Sequence, residues 1–368
     1  MFTDVLILAG GSGERLWPAS THENPKQFMR VFDNYSFLQE TVFRALCLNV
    51  AGRIIVVTRT IWLSKVSTEI AEMKKDLSAR RKKDLDEKIL LFGEERGKNT
   101  APALALVCSF LKTANILILP SDHIILNKTS FIRDMESAAA ISATDKIVLF
   151  GIKGETPETG YGYIQVEENS IKNSENAYKI THFKEKPDSQ TATRYIADPK
   201  YYWNSGIYCV TADFFMHELS LYAPETFACF SHLFEASHEN AYEIEKIFSV
   251  TKNQDGFYVL RDSVAIQEAY QKTPAISIDL AISEKSNNAV AIKASFDWDD
   301  AGTWDSISKY TQIATENEEI HAKNNFAYSD IPVTFVGTEN LIAVVQNGKL
   351  CIIQKGHSNE IKERKNEM

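Results

Sequence analysis

At 368 residues the chain is long enough for about two domains and a large core. Its make-up, 44% hydrophobic and 24% charged with a net charge of −9, is that of an ordinary soluble globular protein and speaks against a general nucleic-acid or membrane-binding surface. Five scattered cysteines, odd in number and without CxxC spacing, suggest neither a zinc site nor a disulfide framework.

Met1 is followed by a brief apolar strand rather than a basic and apolar leader, which places the expected location in the cytoplasm. That strand runs into "LILAGGSGERLWPASTHENPKQF", residues 6–28. A P-loop needs Lys-Ser or Lys-Thr after its last glycine, but Gly13 is followed by Glu14 and Arg15. A dinucleotide fingerprint needs a glycine at position 16, where the chain has Leu16. Neither motif fits, and a ligand-free tight turn is the bland alternative. The cation spacing points elsewhere: Arg15 and Lys26 could converge on anionic oxygens held by the backbone around Gly10, Gly11 and Gly13.

Further apolar runs follow at 53–58, 88–93, 115–120 and 146–151, alternating with helical patterns. This is the signature of an α/β fold with buried parallel strands, whose ligands collect at the carboxyl ends. Between two runs, "NTAPALALVCSFLKTA" predicts a helix capped by Thr100 with Pro102 in its first turn; another helix is expected after Ser130. From about residue 161 the pattern alternates, predicting antiparallel additions to the sheet. Residues 213–285 read as mainly helical, "AYEIEKIFSV" (241–250) included. Short β-like runs follow residue 332, and the last ten residues read as a frayed, charged end. The mixed basic run at 79–88 reads as a solvated helix face.

Chemistry-bearing residues fall at the ends of these elements. Asp122 closes "NILILPSDH", and a second acidic cluster, Asp297, Asp299 and Asp300, lies in "FDWDDAGTW". Carboxylates from two distant segments beside a phosphate loop form an oxygen-only set that suits Mg²⁺, although any single aspartate could equally be a turn or cap residue. His123 is expected to be structural, since Mg²⁺ prefers oxygen. In "FKEKPD", strand alternation puts Lys184 and Lys186 on one face and Glu185 on the other unless a bulge intervenes, with a salt-bridged edge strand as the bland alternative. "WNSG" (203–206) and "ETGYGYI" (158–164) add an amide and glycines, groups that suit sugar hydroxyls.

Taken in order, the glycine loop, "GKNTAPALAL", "LPSDHII", "KGETPETGYGYI", "FKEKPD", "YYWNSGIY", "SIDLAISEK" and "FDWDDAGTW" resemble mannose-1-phosphate guanylyltransferases over nearly the whole chain. The resemblance is to the short form, without the cupin-like isomerase domain of bifunctional members. It implies a Rossmann-like mixed-sheet nucleotidyltransferase domain over 1–315 and a small β-rich C-terminal domain over 316–368. It also implies transfer from GTP to α-D-mannose 1-phosphate with Mg²⁺ as cofactor, and no nucleic-acid or membrane partner. A homodimer through the C-terminal β unit is compatible with it.

The resemblance implies residue roles as well. Gly10, Gly11 and Gly13 wrap the nucleotide, and Arg15 and Lys26 stabilise the departing pyrophosphate. Asp122 also contacts the nucleotide and, with Asp300, holds the metal; Asp300 is preferred over Asp299 because it stands in the family's Asp-x-Gly-Ser/Thr-Trp pattern. Lys186 binds the sugar phosphate, while Glu185, Asn204 and Gly162 contact the hexose. Relatives often read Glu-Pro where this chain has Glu94-Glu95, and an arginine where it has Lys98. The guanine edge presents two donors that a carboxylate can accept, so Glu94, with Asn99 in the following turn, is the expected base contact. Two alternatives stay open: another hexose-1-phosphate nucleotidyltransferase, and a non-catalytic regulatory subunit that binds nucleotide sugars.

Overall fold

In the computed structural model, which describes residues 2–11, 13–32, 35–111, 114–172, 174–239, 248–260, 263–310 and 317–363, each apolar run of the first half is a buried strand. The chain forms two compact units. The larger contains the residues up to Leu8, Val42–Pro120 and Ile125–Trp298; the smaller contains Ala9–Thr41, Ser121–Ile124 and the residues from Asp299 onward.

An eleven-stranded mixed sheet belongs to the larger unit. Its strands are β1 (Asp4–Ala9), β2 (Ile54–Arg59), β3 (Ile89–Glu94), β4 (Asn115–Pro120), β5 (Ile147–Ile152) and β6 (Gly162–Ser170). The others are β7 (Ala177–Lys184), β8 (Tyr201–Thr211), β9 (Val250–Lys252), β10 (Tyr258–Leu260) and β11 (Ala289–Lys293). They lie in the order β9-β10-β3-β2-β1-β4-β8-β5-β11-β7-β6. The pairs β1/β4, β2/β3, β3/β10 and β5/β11 are parallel. β3 and β5 are buried at every residue, as strands covered on both faces must be.

The expected antiparallel strands are present, and β8 is internal to the sheet. It lies antiparallel between β4 and β5, and its first four residues also pair with β6. Both halves of this long strand pair with β5 across a register shift between Asn204 and Tyr208, while on the other edge β6 pairs before the shift and β4 after it. Alternation in the sequence marks such a strand but carries no information on its neighbours.

Helix Thr100–Leu111 is buried around nearly its whole circumference, which is why its sequence is apolar on all sides. Thr100 is not its cap: Asn99, at φ 71, precedes the helix and accepts the Thr100 N–H, while the Thr100 hydroxyl accepts the Ile278 N–H. Asparagine tolerates this left-handed backbone better than most residues. Helix Lys128–Ser142 likewise starts earlier than expected, capped by Asn127, whose side chain accepts from the Ser130 N–H. Most of the expected helix at 241–250 lies outside the described residues, and Val250 begins β9.

In the smaller unit β12 (Asn317–Ile320) pairs in parallel with β14 (Val333–Val336), while β13 (Phe326–Ser329), β15 (Leu341–Gln346) and β16 (Lys349–Gln354) form a second sheet. Its core joins Leu16, Met29, Phe37, Ile124, Trp304, Phe326 and Ile342. Trp304 is fully buried and its indole N–H donates to the Trp17 carbonyl at 3.1 Å, so truncation to alanine would cost about 3–5 kcal/mol. The expected domain boundary between 315 and 316 lies outside the described residues. No helix among the described residues is long and apolar enough to cross a membrane.

Candidate active site

The smaller unit gathers the first cluster. After β1 the chain passes through exposed Gly10 and Gly11 to Gly13, at φ 65 and ψ 28. A Cβ on Gly13 would lie 2.4 Å from the Lys26 Cβ and 2.9 Å from the Ser20 Oγ, so both backbone angle and space demand glycine. The turn lets Lys26, only 4% exposed, reach inward. Its ammonium donates to Asp122 Oδ2 at 2.9 Å and to the Asp300 carbonyl. Arg15 Nη2 lies 3.9 Å from Asp300 Oδ2.

Two backbone hydrogen bonds between Ile124 and Asp299, at 2.9 and 3.1 Å, align the segments that carry the aspartates. Asp122 itself stands in the turn beyond β4, which ends at Pro120. Burial pushes its carboxyl up, but the charges of Lys26 and His123 outweigh this and hold it below the ordinary 3.8. Asp300 Oδ1 accepts the Gly302 N–H at 2.7 Å, and a Cβ on Gly302 would come within 2.5 Å of Asp300 Oδ2. Glycine at 302 therefore clears the seat of this carboxylate.

The other two aspartates of the acidic cluster are structural. Asp299 Oδ1 accepts from the Ala301 N–H and the Ser306 hydroxyl. In the larger unit, Asp297 Oδ1 accepts from the Leu126 and Asn127 N–H groups at 2.8 and 2.9 Å. Among the described residues no three His, Cys, Asp or Glu side chains gather to cage a metal. Asp122 and Asp300 nevertheless form the kind of sparse, all-oxygen donor pair that Mg²⁺ uses when substrate phosphates and water complete its shell.

The larger unit holds a second cluster. Strand alternation predicted opposite faces for Glu185 and Lys186, but β7 ends at Lys184 and Lys186 has φ 45. Beyond the strand the period of two no longer applies, and the Lys186 ammonium meets Glu185 Oε1 at 2.9 Å. Gly162 leaves room for this carboxylate: a Cβ there would lie 2.6 Å from Glu185 Oε2 and 3.3 Å from the Asn204 Cβ. Asn204 is buried at the bulge of β8, and its Oδ1 accepts the Gly206 N–H at 3.3 Å. Burial first, then the neighbouring Asp279, raise the Glu185 carboxyl above its ordinary 4.5, against the pull of Lys186.

Two features here escaped the sequence reading. Tyr161, Trp203 and Trp298 pack edge to face, with centroids 5.1 and 5.4 Å apart around Tyr161. Asp279 accepts hydrogen bonds from Asn204 and Tyr208. It stands in "SIDLAISEK", whose place among the motifs was the available signal.

Glu94, the last residue of β3, is 6% exposed, and its Oε1 is buried without a hydrogen-bond partner. Burial pushes its carboxyl to about 7, against the opposing influence of Tyr270 and Arg59. A cavity of about 60 Å³ beside it is lined by Phe92, Arg96, Gln267, Tyr270 and Gln271. Asn99 is exposed at the following turn.

Residues 4–317 match the nucleotidyl transferase family. The chain is 32% identical to xanthan biosynthesis protein XanB of Xanthomonas campestris pv. campestris, covering 98% of this chain and 72% of that protein. It is 33% identical to mannose-1-phosphate guanylyltransferase RfbM of Salmonella typhimurium, covering 97% and 71%. The fold is similar to that of a crystal structure described as mannose-1-phosphate geranyltransferase from Thermus thermophilus, with a TM-score of 0.76 at 24% identity over 99% of this chain and 98% of that one. With the match spanning most of its length and relatives of this identity along nearly all of it, the chain belongs to the nucleotidyl transferase family, among the mannose-1-phosphate guanylyltransferases.

Proposed function

We propose that the protein transfers the guanylyl group of GTP to α-D-mannose 1-phosphate, forming GDP-mannose and pyrophosphate. The observation that carries this reading is the convergence within one compact unit of a glycine loop, two cations and two carboxylates. A phosphate monoester, with a second pKa of about 6, is mostly dianionic at pH 7, so the attack needs no general base. An oxygen of the sugar phosphate bonds to the α-phosphorus as the bond to the pyrophosphate oxygen breaks. The protein's work is alignment and neutralisation of the leaving charge.

Backbone around Gly10, Gly11 and Gly13 holds the nucleotide phosphates, and Lys26 and Arg15 neutralise the departing pyrophosphate. Asp122 and Asp300 would hold Mg²⁺, which when bound supplies Lewis-acid stabilisation of phosphate oxygens. Lys186, with a side chain 64% exposed, binds the sugar phosphate, and Glu185, Asn204 and Gly162 contact the hexose. Glu94 accepts from the guanine edge, with Asn99 in the adjoining turn. A cytoplasmic location fits a reaction that consumes GTP.

Pyrophosphate release measured for each of four nucleoside triphosphates against mannose 1-phosphate and glucose 1-phosphate, with and without Mg²⁺, tests the proposal. GTP with mannose 1-phosphate and Mg²⁺ should give the highest kcat/KM. Faster turnover of another pair would reassign the chain to a different hexose-1-phosphate nucleotidyltransferase. Nucleotide-sugar binding without release from any pair would make it a regulatory subunit.

A further inference from the structure

The motif "SIDLAISEK" has no role in the reaction as drawn so far, yet it meets both hexose-side segments. It forms a single turn of π-helix, Asp279–Ser283, followed by Glu284. Such turns are rare and recur at functional sites. Asp279 Oδ1 accepts from Asn204 Nδ2 at 3.1 Å and from the Tyr208 hydroxyl, while Asn204 Nδ2 also approaches that hydroxyl at 3.2 Å. Three polar groups thus close a triangle in a buried part of the larger unit. At the other end of the turn, Glu284 Oε1 accepts the Glu185 N–H at 3.0 Å.

We propose that Asp279 is a positioning residue that orients the Asn204 amide for hexose recognition, with Glu284 bracing the backbone of Glu185. This rests on the reading of Asn204 and Glu185 as hexose contacts. A carboxylate only accepts, so Asp279 dictates which end of the Asn204 amide faces it; the Gly206 N–H fixes the opposite end through Oδ1. The amide plane is held from both sides. An amide has two donor hydrogens and two acceptor lone pairs; Nδ2 donates to Asp279 and to the Tyr208 hydroxyl, and Oδ1 accepts from Gly206, so what remains is a lone pair on Oδ1, an acceptor suited to a hexose hydroxyl. The entry to the turn is fixed independently: the Ile276 N–H donates to the Lys98 carbonyl and the Ile278 N–H to the Thr100 hydroxyl. Removing the Asp279 side chain leaves those bonds in place.

The experiment is steady-state kinetics of Asp279→Ala, Asn204→Ala, the double variant and Tyr208→Phe, varying each substrate in turn. Wild-type turnover is read first, because its absence overturns the activity rather than this inference. Asp279→Ala should raise the KM for mannose 1-phosphate about tenfold with the KM for GTP within about twofold of wild type. The double variant should be no more than about threefold worse than Asn204→Ala alone, since the two residues act through one amide. Tyr208→Phe, which removes one corner of the triangle without opening a cavity, should raise the same KM about threefold. An active wild type whose Asp279→Ala and Tyr208→Phe variants keep its KM for mannose 1-phosphate, or a double variant whose defect is the full product of the singles, overturns the proposal.

Discussion

The two polar clusters handle charge in opposite ways. In the cluster of the smaller unit the two cations each have a carboxylate near them, Lys26 with Asp122 and Arg15 with Asp300, and Lys26 helps hold the Asp122 carboxyl down. In the larger unit acids outnumber bases: Glu185, Asp279 and Glu284 crowd together with Lys186, and the carboxyls of Glu185 and Asp279 are raised, in both cases first by burial. A site that receives phosphoryl oxygens needs cations already fixed in place, because charge develops there during the reaction. A site that reads hydroxyls needs oriented donors and acceptors, and beside its one phosphate-binding cation, Lys186, burial raises the carboxyls of Glu185 and Asp279 rather than leaving them fully compensated.

The sharpest break of this contrast is Lys26→Ala. It removes the charge from the phosphate cluster and should lower kcat by about 10²–10³-fold, with the KM for mannose 1-phosphate changing far less. Asp300→Asn should lose most Mg²⁺-dependent turnover with little change in the unfolding midpoint, since asparagine keeps an oxygen for the Gly302 N–H, whereas Asp299→Ala, which deprives both the Ala301 N–H and the Ser306 hydroxyl of their acceptor, should lower the midpoint. Near-normal turnover in folded Asp300→Asn would falsify the metal assignment.

Lys186→Ala tests the other cluster and should have an intermediate effect. It removes the cation assigned to the sugar phosphate, so the KM for mannose 1-phosphate should rise about 10–100-fold with kcat nearly preserved. The same pattern of kcat and KM in Lys26→Ala and Lys186→Ala would erase the proposed division between the clusters.

The smallest effect expected is at Glu94. Ionised Glu94 is the form that accepts from guanine, so the GTP-to-ATP ratio of kcat/KM should climb as pH rises through about 7. Glu94→Gln should flatten that climb and reduce the ratio about tenfold at pH 8. Stability moves the other way: a carboxyl raised from 4.5 to about 7 favours the fold when protonated. Its contribution, on the order of 3 kcal/mol, is present below pH 4.5 and is lost as pH rises through about 7. Unfolding midpoints of wild type and Glu94→Gln across that window should therefore converge at low pH and separate in favour of the variant at high pH.

Strand positions and the loop cations were legible because apolar runs and glycines act locally. How each aspartate of "FDWDDAGTW" is engaged was not, since that depends on distant and local partners: Leu126 and Asn127 take Asp297 Oδ1, Ala301 and the Ser306 hydroxyl take Asp299 Oδ1, and Gly302 takes Asp300 Oδ1, with Arg15 near Asp300 Oδ2. Only the family pattern singled out Asp300. Lys186 was misread by period-two reasoning because its backbone turns left-handed just beyond the strand end. Asp279 was passed over because its meaning lies in Asn204, 75 residues earlier. Periodicity reports on faces and boundaries, and is silent about pairings of that range.

The pair of backbone hydrogen bonds joining Ile124 to Asp299 also bears on how the sequence can vary. It closes a folded stretch of chain that includes Lys186, Asn204 and Asp279, and within that stretch the entropy of closing an exposed turn grows only logarithmically with the turn's own length. Doubling such a turn costs about 0.6 kcal/mol. Insertions in exposed turns between positions 124 and 299 would thus weigh little on the alignment of Asp122 with Asp300. Substrate-reading loops can lengthen or shorten over evolution while the two carboxylates remain in register.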